Sequence, residues 1–496
     1  MRIAAFVCLL YPIATFPYGL APLEEHEARH LEEHVLKVVD VRLNALGISR
    51  LEAQLQDEIA PCSHREEFAA HKLSSLQAVD LMASDTLLPS SVDNNTLPYF
   101  PPIGDQAQLG SCVAWGSTYY QASHEIAMLN DRNNKTANQG ILSPKWTYDI
   151  LDGGVNAGLS VLDAYDLLEM NGAPSISSFP YDTNYTAWDL NPNDWVAAIY
   201  NRMSSYALIP GLGGYGPQNL TAIKTALANG HVLTFASFIN SWVFTRVKHD
   251  PHNISNNHIG EYAAVYMDGY NGGHFMTVVG YDDNIWIDIN GNGQVDSGER
   301  GAFLIANSWG SNWGNRGFIW ISYDAFLGLS RVSGGPNYNR VPAGIYLNSS
   351  FIAATPKAKN YIPKLIAQFS LTQTVRDQIA IQAGASPISS TIPTVTLSDY
   401  ALANRGGKLA FDGTNPSLPA TATFALDLTD LLSFQPNLQR YYLIVSDNTP
   451  GDPTQLNSYT LIDLVHSQQL SFPNVPQIYD NTTGSVFLDY DFLTAD

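Results

Sequence analysis

Cysteine is scarce: the 496-residue chain has 3, at positions 8, 62 and 112. Cys8 falls in an N-terminal apolar run and Cys62 in a charged stretch, so Cys112 stands alone in the body of the chain. That excludes a disulfide framework as the source of stability and points to chemistry as the reason for keeping one thiol. Basic residues are also few. The 25 Lys+Arg against 46 Asp+Glu give a formal charge of -21, with no Lys/Arg cluster. This excludes nucleic acid as a partner, because phosphate neutralisation needs such clusters. Charged residues of both signs make up only 14%, so uncharged Asn, Ser, Thr and Gln do much of the solvating. Beyond the N-terminal run no stretch approaches ~20 apolar residues, so no membrane anchor is expected once a leader is removed. Apolar residues are plentiful: 45% supports a sizeable core, and the length allows two or three domains.

Arg2 precedes the apolar run Ile3–Leu10, which reads as a signal peptide over residues 1–21. The expected location is secreted or extracellular, with the periplasm as a transit compartment. Residues 22–87 read as a helical pro-segment. Leu31, Val35, Val38, Arg42 and Leu46 form one helical stripe that Gly47 ends. Ser49 and Glu52 make a capping box for a second helix carrying Leu51, Leu55 and Ile59. Two short helices need another surface for their apolar stripes. His26-Glu27-Ala28-Arg29-His30, with His34 at the next turn, matches a zinc-peptidase helix. It lies in the segment expected to be removed, with no domain before it to form a cleft, so a solvated helix face is the better reading. Residues 88–350 are rich in Gly, Tyr and Trp. Residues 351–496 contain short apolar runs separated by turn clusters such as Asp447 to Pro453, the spacing of an all-β sandwich.

Three blocks carry chemistry. Gly104 to Ser111 leads into Cys112, after which Trp115, Tyr119, Ala122, Ile126 and Leu129 recur at helical spacing. Cys112 is thus placed at a helix N-terminus, where unpaired N–H groups and the dipole favour a thiolate. A lone cysteine is more often a core residue, but Gly110-Ser111 before it points to close backbone approach. His274 follows Gly272-Gly273 and opens the apolar run Phe275–Tyr281. Asn307-Ser308-Trp309-Gly310 ends a third apolar run and is followed by Trp313, Gly314 and Gly317.

Gln106, Gly110-Ser111-Cys112, His274 and Asn307-Ser308-Trp309-Gly310, in this order, resemble the papain-like cysteine peptidases, of a secreted bacterial type. The resemblance covers about 260 residues and leaves out the C-terminal region. It implies an α+β, two-lobed fold, with a helical lobe and a β-barrel-like lobe. It also implies Cys112 as nucleophile, His274 as its base, Asn307 as the orienter of that base, and Trp309 as its shield. The Gln106 amide and the Cys112 backbone N–H would form the oxyanion hole. Leu109 stands where the family commonly has a disulfide cysteine, and Val113 where it has an aromatic residue. His274 lies somewhat farther from Cys112 than the ~130–150 residues typical of these enzymes. Asn156-Ala157-Gly158 resembles the non-primed side of the substrate cleft, and Gly158, Ala157, Gly273, Trp309 and Phe235 are the implied substrate-binding residues. The implied activity is endopeptidase hydrolysis of proteins or peptides through an acyl-enzyme. The pro-segment would be an intramolecular inhibitor, and no organic cofactor is implied. A papain-like scaffold that only binds, or a transpeptidase using an amine in place of water, are the alternatives.

Asp288, Asn290, Asn292, Gly293, Gln294, Asp296 and Glu299 satisfy every position of a twelve-residue calcium loop: side-chain oxygens at one, three, five, nine and twelve, Gly at six and a carbonyl at seven. The flanks read as strands, so a structural calcium ion is expected, not an EF-hand switch. A metal-free hairpin tip is the plainer reading.

Overall fold

The computed structural model describes Leu20 and residues 43–59, 87–136, 140–209, 217–267, 272–327, 330–335, 351–414, 418–433 and 439–492. Cys8, Cys62, the His26–His34 motif and the signal-peptide span apart from Leu20 lie outside the described residues.

A buried helix organises the first lobe. It comprises an α-turn Cys112–Ala114, a π-wound stretch Trp115–Ala122 and an α-segment Ser123–Asn130. All residues from Cys112 to Ala127 are buried. The expected helix is present, but its middle turns are wider than α, so the spacing read from the sequence does not mark a single face. Gly116 lets a strand approach closely: a Cβ there would lie 2.5 Å from the Phe275 ring. Helices Pro144–Leu151 and Val161–Met170 complete the lobe, capped by the Ser143 and Ser160 hydroxyls.

The second lobe is built on a nine-stranded sheet. Its spine is the hairpin Gly273–Trp286 and Arg300–Ala306, with Leu233–Phe238 on one side and Phe318–Ser322 on the other. Thr277 pairs with Ala306. His274, three residues before the one, and Asn307, one residue after the other, therefore share one end of the hairpin. The candidate calcium loop is the connection at the opposite end.

Two four- and five-stranded antiparallel sheets follow from Leu365 and share one core, so the sandwich expectation holds. That core is continuous with the helical lobe. Phe424 meets Trp195 edge-on at 4.7 Å, and Trp195 in turn meets Trp146 at 4.3 Å. Buried Arg202 and Asp427 form an ion pair at 2.8 Å across the same junction.

Two expectations are corrected. The boundary at 350/351 falls too early, because Phe351–Pro356 pairs with Met203–Ile209 and touches Leu233–Phe238. Composition changes at Phe351, but its aromatic ring packs against Phe235 and Phe326 of the peptidase sheet. Gly47 also ends nothing: one helix runs from Ala45 to Ile59, through Gly47 and Ser49. Its cap is Asn44, whose Oδ1 accepts from the Gly47 N–H at 3.0 Å. Gly47 is needed for contact, since a Cβ there would lie 2.5 Å from Leu43 and 2.9 Å from Asn229. This helix docks on the end of helix Pro217–Ala228, where Arg50 donates to Leu227 O and Ala228 O at 3.0 and 2.9 Å. Leu20, inside the span read as signal peptide, bridges Leu159 next to the expected cleft.

Candidate active site

The first turn of the Cys112 helix packs on the strand that carries His274. Cys112, Val113, Phe275 and Ala236 belong to one buried cluster. Cys112 and His274 are both fully buried in this form of the chain. The His274 Nε2–H donates to Asn307 Oδ1 at 2.7 Å. That bond assigns the tautomer, leaving Nδ1 as the basic nitrogen, and Nδ1 has no hydrogen-bond partner among the described residues. Burial pushes the imidazole down to about 4, with the Asn307 bond opposing. Trp309 covers the ring at 4.5 Å between centroids, and Trp313 braces Trp309 edge-on at 5.6 Å. Asn307 is itself anchored: its N–H donates to Gly317 O at 2.9 Å and its O accepts from the Tyr120 hydroxyl at 2.8 Å.

Gln106 is fixed on both faces of its amide. Its Oε1 accepts from Ser308 Oγ at 2.6 Å, and its Nε2 donates to Leu109 O at 2.8 Å. The amide nitrogen is therefore turned toward the segment that leads into Cys112. The Gln106 N–H also donates to Ser308 O at 2.7 Å, tying the two motifs together. Tyr181 donates to Gln106 O at 2.8 Å and lies 2.6 Å from Ser111 Oγ, bracing the turn before the nucleophile.

The cleft residues are only partly as expected. Ala157 is exposed, Gly158 is half-buried with φ +96°, and Gly273 and Trp309 are half-buried. Phe235 is not a cleft residue. It is buried in the sheet core against Phe326 and Phe351 at 5.6 and 5.7 Å. Strand residues alternate in direction, so its neighbour Ala236 is the one in the Cys112 cluster. Tyr181, Ser308, Tyr120 and Asn156 are further residues of the site that the sequence does not assign. Ser308 and Asn156 lie within the Asn307–Gly310 and Asn156–Gly158 motifs, whereas nothing local marks Tyr181 or Tyr120.

In the loop from Asp288 to Glu299, Asp288 Oδ2 accepts from the Gly293 N–H at 3.1 Å. Asn290 and Asn292 accept from Asn292 N and Gln294 N at 3.0 and 2.7 Å. Buried Asp288 Oδ1 has no hydrogen-bond partner among the described residues. Asp296 Oδ2 takes the amides of both Asn290 and Asn292, at 2.6 and 2.7 Å. Two features compete with a cation: Lys248 Nζ lies 2.6 Å from Asp288 Oδ2, and Glu299 accepts from Ile289 N, Trp286 Nε1 and Asp296 N. Among the described residues no group of three or more His, Cys, Asp or Glu side chains is arranged to hold a metal. The remaining donors would be the amide oxygens of Asn290 and Asn292 and the Gln294 carbonyl. The orphaned carboxylate oxygen and the oxygen-rich set fit calcium.

A cysteine at a helix start, an imidazole held by a carboxamide and a side-chain amide turned toward the thiol's segment are thus brought to one place by the two lobes. The family described as papain family cysteine protease matches residues 88–331, and over that span the chain is similar to the papain-like cysteine peptidases. Cysteine proteinase 1 of Dictyostelium discoideum is 23% identical over 273 residues, 52% of this chain and 70% of that protein. Cysteine proteinase 2 of Entamoeba histolytica is 28% identical over 237 residues, 47% of this chain and 62% of that protein. Cysteine proteinase 2 of Leishmania pifanoi is 26% identical over 320 residues, 62% of this chain and 59% of that protein.

Proposed function

We propose that the chain hydrolyses peptide bonds with Cys112 as nucleophile, His274 as general base and acid, and Asn307 as orienter. The observation that carries this is the His274 Nε2–Asn307 bond, which leaves Nδ1 as the base at the strand packed on the Cys112 turn. Nδ1 takes the thiol proton, and Sγ attacks the scissile carbonyl carbon. The carbonyl oxygen becomes an oxyanion that the Gln106 amide and the Cys112 N–H stabilise. The imidazolium gives its proton to the leaving amine as the C–N bond breaks, forming a thioester. Water, deprotonated by Nδ1, attacks the thioester, and the thiol and a carboxylic acid are released. Peptide hydrolysis by protein lacking residues 1–87, lost in Cys112→Ala, is the test.

Three further parts belong to this reading. The run after Arg2 supports secretion, checked by the N-terminal sequence of exported protein. Residues 22–87, anchored by helix Ala45–Ile59, act as an inhibitory pro-segment; activation of the full chain by limited proteolysis checks this. The loop Asp288–Glu299 binds calcium, checked by titration calorimetry of the metal alone. The ion would brace the hairpin that spaces His274 and Asn307, with no role at the sulfur.

A further inference from the structure

The loop that carries Asn156, Ala157 and Gly158 is held from two sides. On the peptidase side, buried Asp152 accepts from the N–H groups of Gly154 and Asn156 at 2.8 and 3.3 Å. Asn156, with φ +52°, turns its Oδ1 to accept from Gly110 N–H at 2.8 Å and the Tyr148 hydroxyl at 2.5 Å. Gly110 is two residues before Cys112, so this loop is bonded to the nucleophile's own turn.

On the other side lies the sandwich, through its segment 404–410. The backbones touch. A Cβ on Gly407 would sit 1.9 Å from Gly153 O, and Gly407 has φ +76°. A Cβ on Gly154 would sit 2.6 Å from Leu409 Cδ1. A side chain on Gly407 would strike the Gly153 backbone, and one on Gly154 would strike the Leu409 side chain. Arg376 pins the segment: its backbone N–H donates to Leu409 O at 2.9 Å, its Nε to Gly406 O at 2.7 Å and its Nη1 to Thr186 O at 2.7 Å. Its guanidinium lies over Trp188 at 4.8 Å. The Trp188 indole donates to Asp149 O at 2.8 Å, in the helix whose end is Asp152. Burial pushes Asp152 up to about 6, and the Arg376 charge is among the groups that oppose it.

We propose that the sandwich segment 404–410, through Gly407 and Arg376, positions the substrate-binding loop 152–158 and so sets how tightly peptide substrates are held on the acyl side of the scissile bond. The inference rests on the hydrolytic reading above and gives the C-terminal sandwich a part in substrate binding. Gly407 and Arg376 are positioning residues; neither is placed on the reacting atoms.

Gly407→Ala tests this in the chain freed of residues 1–87. Two readings are taken: KM and kcat for a peptide substrate, and hydrogen exchange at the amides of residues 153–158. The expected result is a KM rise of about tenfold with kcat within about threefold, the pattern of lost uniform binding. Exchange at 153–158 should quicken while the Cys112 helix keeps its protection. Gly451→Ala is the control. It imposes similar strain (φ +85°) in the same sandwich with nothing within 4 Å of the new Cβ, and KM should not move. Arg376→Lys should shift KM in the same direction as Gly407→Ala. If Gly407→Ala does not fold, Leu409→Ala, which uncovers Gly154 without backbone strain, decides by the same readings. Wild-type KM and wild-type exchange at 153–158 overturn the proposal, as does an equal KM rise in Gly451→Ala. If the wild type cleaves no peptide, the hydrolytic reading falls, and exchange still decides whether the sandwich positions the loop.

Discussion

Burial without a carboxylate partner governs the titration of His274, whose pKa is pushed from 6.5 down to about 4. In a Cys112→Ala protein no thiolate competes for the proton. The stability that comes from neutral His274 is then present above the unfolded value of about 6.5 and lost as pH falls toward the folded value. The loss across that window is roughly 3 kcal/mol. Melting curves of Cys112→Ala and Cys112→Ala/His274→Gln, from about pH 7 to about pH 4.5, check it. The single variant should lose stability more steeply, and parallel curves would contradict the assignment of the buried imidazole. Gln106→Ala should lower kcat by about 10²–10³, the usual cost of an oxyanion donor. Ser308→Ala, which frees the Gln106 amide to rotate, should cost about tenfold with KM little changed. Gln106, Cys112, His274 and Asn307 stand out in the sequence because each sits in a short motif with glycine or tryptophan neighbours, and the structure brings His274 and Asn307 into a hydrogen bond. Tyr181 reaches the same turn from a distant segment with no local mark, and Asn156, although inside a recognised cleft segment, gives no sign in the sequence of its bond to Gly110. Phe235 failed for a simpler reason: a one-residue step on a strand reverses the face.

The hairpin connection Asp288–Glu299 was legible as a loop, because Gly293 and the Asx residues are read directly by spacing; calcium binding there is the proposal to be tested. With three carboxylates among the donors, affinity in the ~10⁻⁵–10⁻³ M range of extracellular sites is expected. At about a hundredfold excess over Kd the stabilisation would be roughly 2.7 kcal/mol. Chelator should therefore lower the Tm, and added calcium should restore it. Asn292→Ala, exposed and outside the Glu299 hydrogen-bond set, should shrink the calcium-dependent rise in Tm, measured against the variant's own chelated Tm. An identical Tm with chelator and with calcium would leave the segment a turn only. Helix Ala45–Ile59 was half legible. Leu51 was placed on its buried face, but Gly47 was mistaken for a stop because its packing against Asn229 is a tertiary fact. Arg50 caps the last carbonyls of helix Pro217–Ala228, so Arg50→Ala should loosen the pro-segment. The measure is faster proteolytic activation of the full chain at unchanged activity of the matured form.

At the scale of the molecule, the α+β architecture was an implication of the papain-like resemblance, and the C-terminal sandwich followed from short apolar runs separated by turn clusters. Their union did not, because the contacts that join them, such as Trp195 with Phe424 and Arg202 with Asp427, pair residues more than 200 apart. Cutting the chain after Pro356 would expose Trp188 and Trp195 and leave Arg202 without its buried partner, a loss of several kcal/mol by either route. A fragment of residues 88–356 should be insoluble or melt well below the longer chain, as solubility and calorimetry would show. Among the described residues no helix is long and apolar enough to cross a membrane. The account turns on Cys112 as nucleophile under His274. Peptide hydrolysis by the chain freed of residues 1–87, compared with its Cys112→Ala variant of equal Tm, tests it most directly. The predicted result is a fall in kcat/KM of more than about a thousandfold. A variant retaining activity within about tenfold of wild type would contradict it.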